Sequence, residues 1–367
     1  MKAVASEVNF GGFYEGKSVF VTGHTGFKGG WLAFWLHRLG ASVHGYATDP
    51  PTQPSMFEAA QVGRVLASDT RGDLAEFAQL KKALCDASPD IVFHLAAQPL
   101  VLTSYLDPVT TFAVNVMGTA HVLEAVRAVP TVRALVLVTT DKVYENDEGP
   151  YPRRESDPLG GHVPYSASKA AAEIVSASYR ASFFSREDGH PANVATVRAG
   201  NVIGGGDWAS DRLFPDCARA FAKGASVLLR SSGSVRPWQH VLEPLSGYLQ
   251  VAQRLFGPDG RRFAKAWNFG PNCSDEATVG EVAEIASRLW GEGARVECTL
   301  SPQSAHEARS LRLDSSLART ELGWKPRWSL GQALANTVAW YKASIQGADL
   351  VTISLDQIGA YEAAAQS

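Results

Sequence analysis

Tyr165 and Lys169, four residues apart in Pro-Tyr-Ser-Ala-Ser-Lys, are a pair that can take a proton from a hydroxyl group. On a helix that opens after Pro164, positions i and i+4 lie on one face, so the phenol and the ammonium point the same way. A free tyrosine ionises near pH about 10 and is a poor base at neutral pH. A neighbouring cation favours the phenolate and lowers that value. By itself the pair also arises by chance on solvated helix faces, so it acquires meaning only beside a second feature.

That feature is the segment VFVTGHTGFKGGWL. Gly23, Gly26 and Gly29 stand at G-x-x-G-x-x-G spacing, with Thr25, Phe27 and Lys28 between them, after a strand and before a helix. Glycine there permits a tight turn and close approach of backbone to a pyrophosphate, which the helix N-terminus then holds with free N–H groups. The alternative is a glycine-rich turn with no ligand. Dinucleotide folds usually carry an acid at the end of the second strand to hold the adenosine ribose. Ala47 occupies that place here, and Asp49 two residues later is either a ribose ligand or an exposed loop acid. No Arg or Lys lies between Ala41 and Arg64, so a 2′-phosphate has no evident partner and NAD is expected over NADP.

Thr140, Asp141 and Lys142 close the strand that starts at Ala134, and ligands of open α/β sheets gather at strand C-terminal ends. They either contact the reacting part of a substrate or form a solvated turn.

The elements that must position these groups follow from hydrophobic patterning. Strands are expected at Ser18–Val21, Ser42–Ala47, Val65–Ser68, Ile91–Leu95, Ala134–Thr139 and Val194–Val197. Between them lie helical stretches at Trp31–Leu39 (closed by Gly40), Leu74–Cys85, Thr111–Val126 and Ala167–Phe184. Alternating strands and helices, with strands apolar on both faces, imply an α/β fold with a doubly wound parallel sheet. After Asn201 the rhythm breaks into Gly- and Trp-rich segments, with further helices near Val279–Leu289 and Leu330–Ala343. The expected division is a Rossmann domain over residues 13–200, re-entered near 235–271, and a smaller mixed α/β substrate domain over 201–345. The tail from Gly347 carries no readable pattern.

The 367 residues and 45% apolar content suffice for a large core. A net charge of −3 offers no electrostatic reason for a nucleic acid or an anionic membrane as partner. Cys85, Cys217, Cys273 and Cys298 are widely spaced and read as buried thiols, not as a disulfide frame; no metal site is expected. There is no secretory signal pattern near Met1 and no run of eighteen apolar residues, so a cytoplasmic protein is expected.

With these residues in place, the chain resembles the nucleotide-sugar branch of the extended short-chain dehydrogenases, and within it the 4,6-dehydratases that act on CDP-glucose. The resemblance runs from roughly Phe13 to Trp340 through IVFHLAAQPLV, NVMGT, VTTDKVYEN, PYSASK, RAGNVIGGGDWASDRL, RPWQHVLEPL, WNFGP and HEARSLRLD. It implies adenine contacts from Asp69 and Thr70, and passage of Leu95, Ala96 and Ala97 under the cofactor, with Gln98 close to the substrate. Asn115 matches a structural or proton-relay asparagine, Tyr165 the base, and Lys169 its partner on the nicotinamide ribose. Asn201 and Arg236 match contacts to the substrate diphosphate. Each has a plain alternative: Asn115 can bridge main chain, and Arg236 can pair with Glu243. His94 and His240 read as packing or hydrogen-bonding residues, most tryptophans as core, and His306-Glu307 receives no chemistry.

The chemistry implied is an internal redox cycle. Tyr165 removes the 4-hydroxyl proton as hydride leaves C4 for NAD; water is lost across C5 and C6; hydride returns to C6. NAD therefore stays tightly bound and is regenerated at each turnover. Thr140 would hydrogen-bond the 4-hydroxyl and Asp141 would protonate the departing 6-hydroxyl. Lys142 stands where dTDP-glucose dehydratases carry a glutamate base, and the expectation is a closed apolar pocket in which it takes the C5 proton. A 4-epimerase, a dehydratase for another nucleotide and a silent dinucleotide sensor are the alternatives. The family also implies a homodimer or higher homo-oligomer.

Overall fold

The computed structural model describes residues 10–145, 149, 151–184, 189–229, 232–272, 275–291, 293–298 and 312–364. Cys273 and His306-Glu307 lie outside these residues. Six strands, β1 (Ser18–Thr22), β2 (Ser42–Ala47), β3 (Ser68–Arg71), β4 (Ile91–His94), β5 (Ala134–Val138) and β6 (Asn193–Ala199), join a later strand, β11 (Ala266–Phe269), in one sheet. Its order is β11-β6-β5-β4-β1-β2-β3, and every pairing is parallel. The order reverses between β1 and β4, which leaves a crevice beyond their C-terminal ends, where ligands of such sheets bind.

β5 shows why both faces are covered. Ala134, Val136 and Val138 join one apolar cluster, while Leu135 and Leu137 join the other. On one side lie α3 (Phe77–Ala87), α6 (Gly118–Arg127) and α7 (Pro164–Tyr179). On the other lie α1 (Phe27–Arg38) and α9 (Leu242–Phe256). Short helices α2 (Met56–Ala59), α4 (Val101–Leu106) and α5 (Pro108–Phe112) fill the connections, and a π turn at Ala113–Met117 runs α5 into α6. That combined helix, Pro108–Arg127, is long and apolar enough to cross a membrane, but it packs on α3 and α7 and buries Asn115, Thr119, Val122 and Leu123.

Four sequence expectations need correction. The third strand lies at Ser68–Arg71, and Val65 belongs instead to a 3-10 turn. The apolar Val65-Leu66 pair attracted the reading, but an edge strand pairs on only one side and tolerates polar, exposed residues. Helix α9 lies where no element was expected, and it buries Leu242, Pro244, Leu245, Gly247, Tyr248 and Leu249 against the sheet. The tail after Gly347 forms α13 (Leu350–Ala363), capped by Asp349. Its buried Leu350, Ser354, Gln357, Ile358 and Tyr361 keep helical spacing, but three of them are polar or amphipathic, so an apolar count overlooks it. Finally, Cys85 and Cys298 are exposed, and only Cys217 of the described thiols is buried.

Beyond β6 the chain forms short two-stranded pairings: β7 (Val202–Ile203) with β10 (Gln239–His240), β8 (Ser226–Leu229) with β13 (Arg295–Cys298), and β9 (Val235–Arg236) with β12 (Ala277–Thr278). Helices α8 (Leu213–Phe221), α10 (Gly260–Phe263), α11 (Val279–Trp290) and α12 (Leu330–Ile345) surround them. Trp31, Trp35, Trp267 and Trp340 are wholly buried core. Gly205 shows the fit: a Cβ there would stand 2.0 Å from the Trp340 ring, and its carbonyl accepts the Trp31 indole N–H at 2.8 Å.

Candidate active site

The glycine turn follows β1 at the crevice. Gly23 has φ +77°, and a Cβ there would lie 2.6 Å from the Ala96 nitrogen; at Gly29 it would lie 2.1 Å from the Gly23 carbonyl oxygen. Only glycine allows this approach of turn, helix and β4 loop. Gly26 caps α1 without a side-chain bond, leaving the first-turn N–H groups free for an anion. Thr25 donates to the Thr48 carbonyl at 3.1 Å and ties the turn to the end of β2. These features fit a dinucleotide pyrophosphate. Phe27 packs its ring toward Gly204, and Leu95 and Ala96 anchor their N–H groups on the Thr22 hydroxyl at 3.2 Å, with Ala97 following in the same loop.

At the adenosine end, Asp49 is exposed and its nearest cation is Arg71 at 3.9 Å. Asp69, next to Thr70 on β3, bonds His24 Nε2 at 2.8 Å and Arg71 at 2.9 Å. His24 and Arg71 were not singled out from the sequence. Arg71 lies beyond Arg64 in the chain, yet β3 pairing beside β2 brings its guanidinium within 3.3 Å of the Thr48 carbonyl. Two carboxylates answer its charge.

The chemistry-bearing groups converge where β5 ends. Thr140 donates to Asp141 Oδ1 at 2.9 Å. Asp141 is 1% exposed, and its Oδ2 is buried with no hydrogen-bond partner. Tyr165, in the first turn of α7, hydrogen-bonds the Thr140 hydroxyl. Burial pushes the phenol above its usual range and Asp141 adds to that, while the Thr140 bond and Arg212 oppose it. In the protein alone burial dominates this phenol, and Arg212 is the opposing cation. Lys169 itself is buried, donates to the Val138 carbonyl at 3.1 Å, and is held at about 8 by burial against the pull of Glu173.

Lys142 is not enclosed. Its side chain is 36% exposed and its ammonium sits 3.6 Å from Asp141 Oδ1, so the closed apolar pocket is absent around it. The lysine directed inward is Lys28 of the glycine turn. It is half-buried and lowered to about 8 first by burial, then by Arg212, with Asp141, Lys169 and Asp207 also in electrostatic reach. Arg212 pairs with buried Asp207 at 2.8 Å. The GDWASDR segment thus brings charge to the crevice, which pattern reading gave no means to see.

Gln98 and Asn115 are bound to the protein itself. Asn115 accepts from Gln98 N at 2.9 Å and donates to Gln98 O at 3.1 Å and to Ser168 Oγ at 2.9 Å, bridging the β4 loop to α7. The Gln98 amide donates to Thr111 at 2.8 Å. Asn201 lies just past β6 with its Oδ1 buried and unpartnered, and Arg236 lies on β9. Glu243 is not available to Arg236: it accepts from Tyr361 at 2.6 Å and from the Arg327 and Trp328 amides. His94 bridges Thr22 and Thr119 and is pushed to about 3 by burial, and His240 likewise, so both are neutral packing groups. Below the site, Glu173 and Arg198 form a buried pair at 2.9 Å, with Thr139 and Thr196 filling the remaining carboxylate positions at 2.6 Å each. The i+4 spacing from Lys169 to Glu173 was the available signal for this support. A groove lined by Arg133, His190 and Asn193 opens at the opposite, N-terminal ends of β5 and β6, away from these groups.

Comparison with known proteins agrees with this arrangement. The chain is 48% identical over 355 residues to the CDP-glucose 4,6-dehydratase of Salmonella typhimurium, covering 96% of this chain and 98% of the relative. It is 32% identical over 259 residues to the dTDP-glucose 4,6-dehydratase of Streptomyces griseus, covering 70% and 72%. Its fold matches that of the dTDP-glucose 4,6-dehydratase DesIV from Streptomyces venezuelae, solved with NAD bound, at TM-score 0.73 and 24% identity over 88% of this chain and 96% of that one. Residues 19–265 match the family model described as NAD dependent epimerase/dehydratase, and with a glycine turn, a Tyr-Lys pair and a strand-end Thr-Asp gathered at one crevice, the chain belongs to that family.

Proposed function

We propose that the chain converts CDP-glucose to CDP-4-dehydro-6-deoxyglucose and water, as a lyase that ends each turnover with its NAD unchanged. The observation that carries a dehydration is Asp141, a buried carboxyl beside Tyr165 with one oxygen free of protein partners among the described residues. A 4-epimerase needs the proton acceptor at the 4-hydroxyl but has no use for an acid at C6. The choice of cytidine rests on the 48% identity to a CDP-glucose enzyme along the full chain.

In this reading NAD, when bound, supplies the hydride acceptor at C4 and the hydride donor at C6. The chain's residues handle protons and position. Thr140 and Tyr165 hold the 4-hydroxyl, and Tyr165 takes its proton; Lys169 holds the nicotinamide ribose and its charge favours the phenolate. The 4-ketone acidifies C5–H. A base takes that proton, the C5–H electrons form the C5–C6 double bond, and the C6–O bond breaks as Asp141 gives its proton to the departing hydroxyl. Lys142, at the rim beside Asp141, is the candidate for the base, and it returns a proton to C5 as hydride reaches C6. Asn201 and Arg236 receive the diphosphate, with Gln98 held by Asn115 near the sugar. The first-turn amides of α1, with Lys28, hold the cofactor pyrophosphate, and Asp69 and Thr70 meet its adenine.

Incubation with CDP-, dTDP-, UDP- and GDP-glucose tests this directly. The expected result is the 4-keto-6-deoxy product from CDP-glucose without net formation of reduced cofactor. Galactose epimers, or stoichiometric reduced cofactor, would replace the dehydratase reading.

We further propose a homodimer working in the cytoplasm. Leu102, Leu106, Val109, Phe112, Met117 and Ile174 are exposed on α4, α5, the π turn and α7. Apolar side chains clustered on adjacent helices favour burial against a second copy. Light scattering should return twice the 39.3 kDa chain mass; a monomer at micromolar concentration would discard this interface.

A further inference from the structure

Around Asp141, four buried polar atoms lack protein partners among the described residues: Asp141 Oδ2, Asn201 Oδ1, Gln239 Oε1 and the Tyr248 hydroxyl. Leaving such a group unsatisfied forfeits its hydration without return, so several at one place call for an explanation.

Local contacts show that they share one region. A Cβ on Gly200, the residue before Asn201, would lie 3.3 Å from Asp141 Oδ2. The Gln239 backbone donates to the Asn201 carbonyl at 3.1 Å, and its side chain donates to the Phe269 carbonyl at 2.8 Å. The Phe269 ring meets the Tyr248 ring edge-on at 5.8 Å. Tyr248 is fully buried on α9, which crosses β5 and β6 beneath the loop that carries Asp141, and the charges of Tyr165 and Asp141 both reach its hydroxyl. Three of the four atoms, as placed, are acceptors; the phenol is the sole donor that the set contains. Acceptors gathered around one donor are satisfied by water, which supplies two more protons.

We propose that Tyr248 is a positioning residue for the elimination step, acting on Asp141 through buried water that joins its hydroxyl to Asp141 Oδ2. The phenol orients this water, the water holds Oδ2, and the carboxyl proton is thereby presented toward the sugar. Tyr248 touches neither substrate nor cofactor. The inference rests on the dehydratase reading above, since an acid at C6 has meaning only there.

Tyr248→Phe removes the hydroxyl and keeps the ring that packs on Phe269. The expected result is a fall in kcat of about tenfold at unchanged KM, smaller than for a group that transfers the proton itself. Reduced cofactor should accumulate during turnover, because oxidation at C4 continues while elimination lags. In an Asp141→Asn background the same substitution should add nothing, since the two act as one unit. A merely structural tyrosine would lower both steps together or alter thermal stability, and its effect would add to that of Asp141→Asn. Wild-type kcat and cofactor partitioning in Tyr248→Phe, or full additivity, would overturn the proposal while wild-type conversion of CDP-glucose left the dehydratase reading standing. Failure of the wild-type protein to convert CDP-glucose would remove the reading itself.

Discussion

Tyr165→Phe lowers turnover of CDP-glucose by about 100-fold or more, the range for losing a general acid–base group. The substitution deletes one oxygen from a side chain that is 9% exposed, and the ring stays packed in the first turn of α7. The lost oxygen is the one that meets Thr140 and would take the 4-hydroxyl proton. Burial raises this phenol in the protein alone and Arg212 opposes the rise; in the proposed mechanism Lys169 and the nicotinamide charge would add to that opposition. Oxidation at C4 is the first chemical step, so no reduced cofactor should appear even in a single turnover. Circular dichroism and cofactor titration should match wild type. A folded Tyr165→Phe protein with near-full activity would remove the Tyr-Lys pair from the mechanism.

Asp141→Asn should produce a different failure of similar size, about 100-fold or more in net turnover. The carboxyl is 1% exposed and receives the Thr140 hydroxyl on one oxygen, so the isosteric amide preserves the packing. An amide cannot protonate a leaving hydroxyl. Substrate oxidation should therefore proceed and elimination stall, seen as a persistent absorbance of reduced nicotinamide after substrate is added. The 4-keto sugar retained on the enzyme should still exchange its C5 proton with D2O, provided that the base is separate from Asp141. Loss of oxidation as well would make Asp141 a structural support of Thr140 and Tyr165. A variant with wild-type turnover would place the C6 acid elsewhere.

Much of the scaffold was readable because parallel sheets buried on two faces leave continuous apolar strands and helix-length intervals. Ser42–Ala47 appeared at its observed bounds, and β1, β4, β5 and β6 within two residues of theirs. The failures have a common cause. Edge strand β3 is polar, and α13 buries Ser354 and Gln357, so neither shows the contrast between two faces on which periodicity depends. Within the site, Tyr165, Lys169 and the glycine turn were visible because local spacing alone constrains them. His24, Arg71, Arg212 and Tyr248 were not, since each acquires its neighbours from segments far along the chain.

Residue order by itself determined the strand–turn–helix that opens the crevice, the helix face shared by Tyr165 and Lys169, and the placing of Thr140 and Asp141 at a strand end. These depend on backbone geometry over a few residues. Only the tertiary structure decided which lysine faces inward. Lys142 adjoins Asp141 in sequence yet lies at the rim, whereas Lys28, 113 positions earlier than Asp141, is brought within its electrostatic reach. The reason is physical: burial and charge environment are set by what packs from other strands and helices, and β1 and β4 become neighbours only when the sheet order reverses between them.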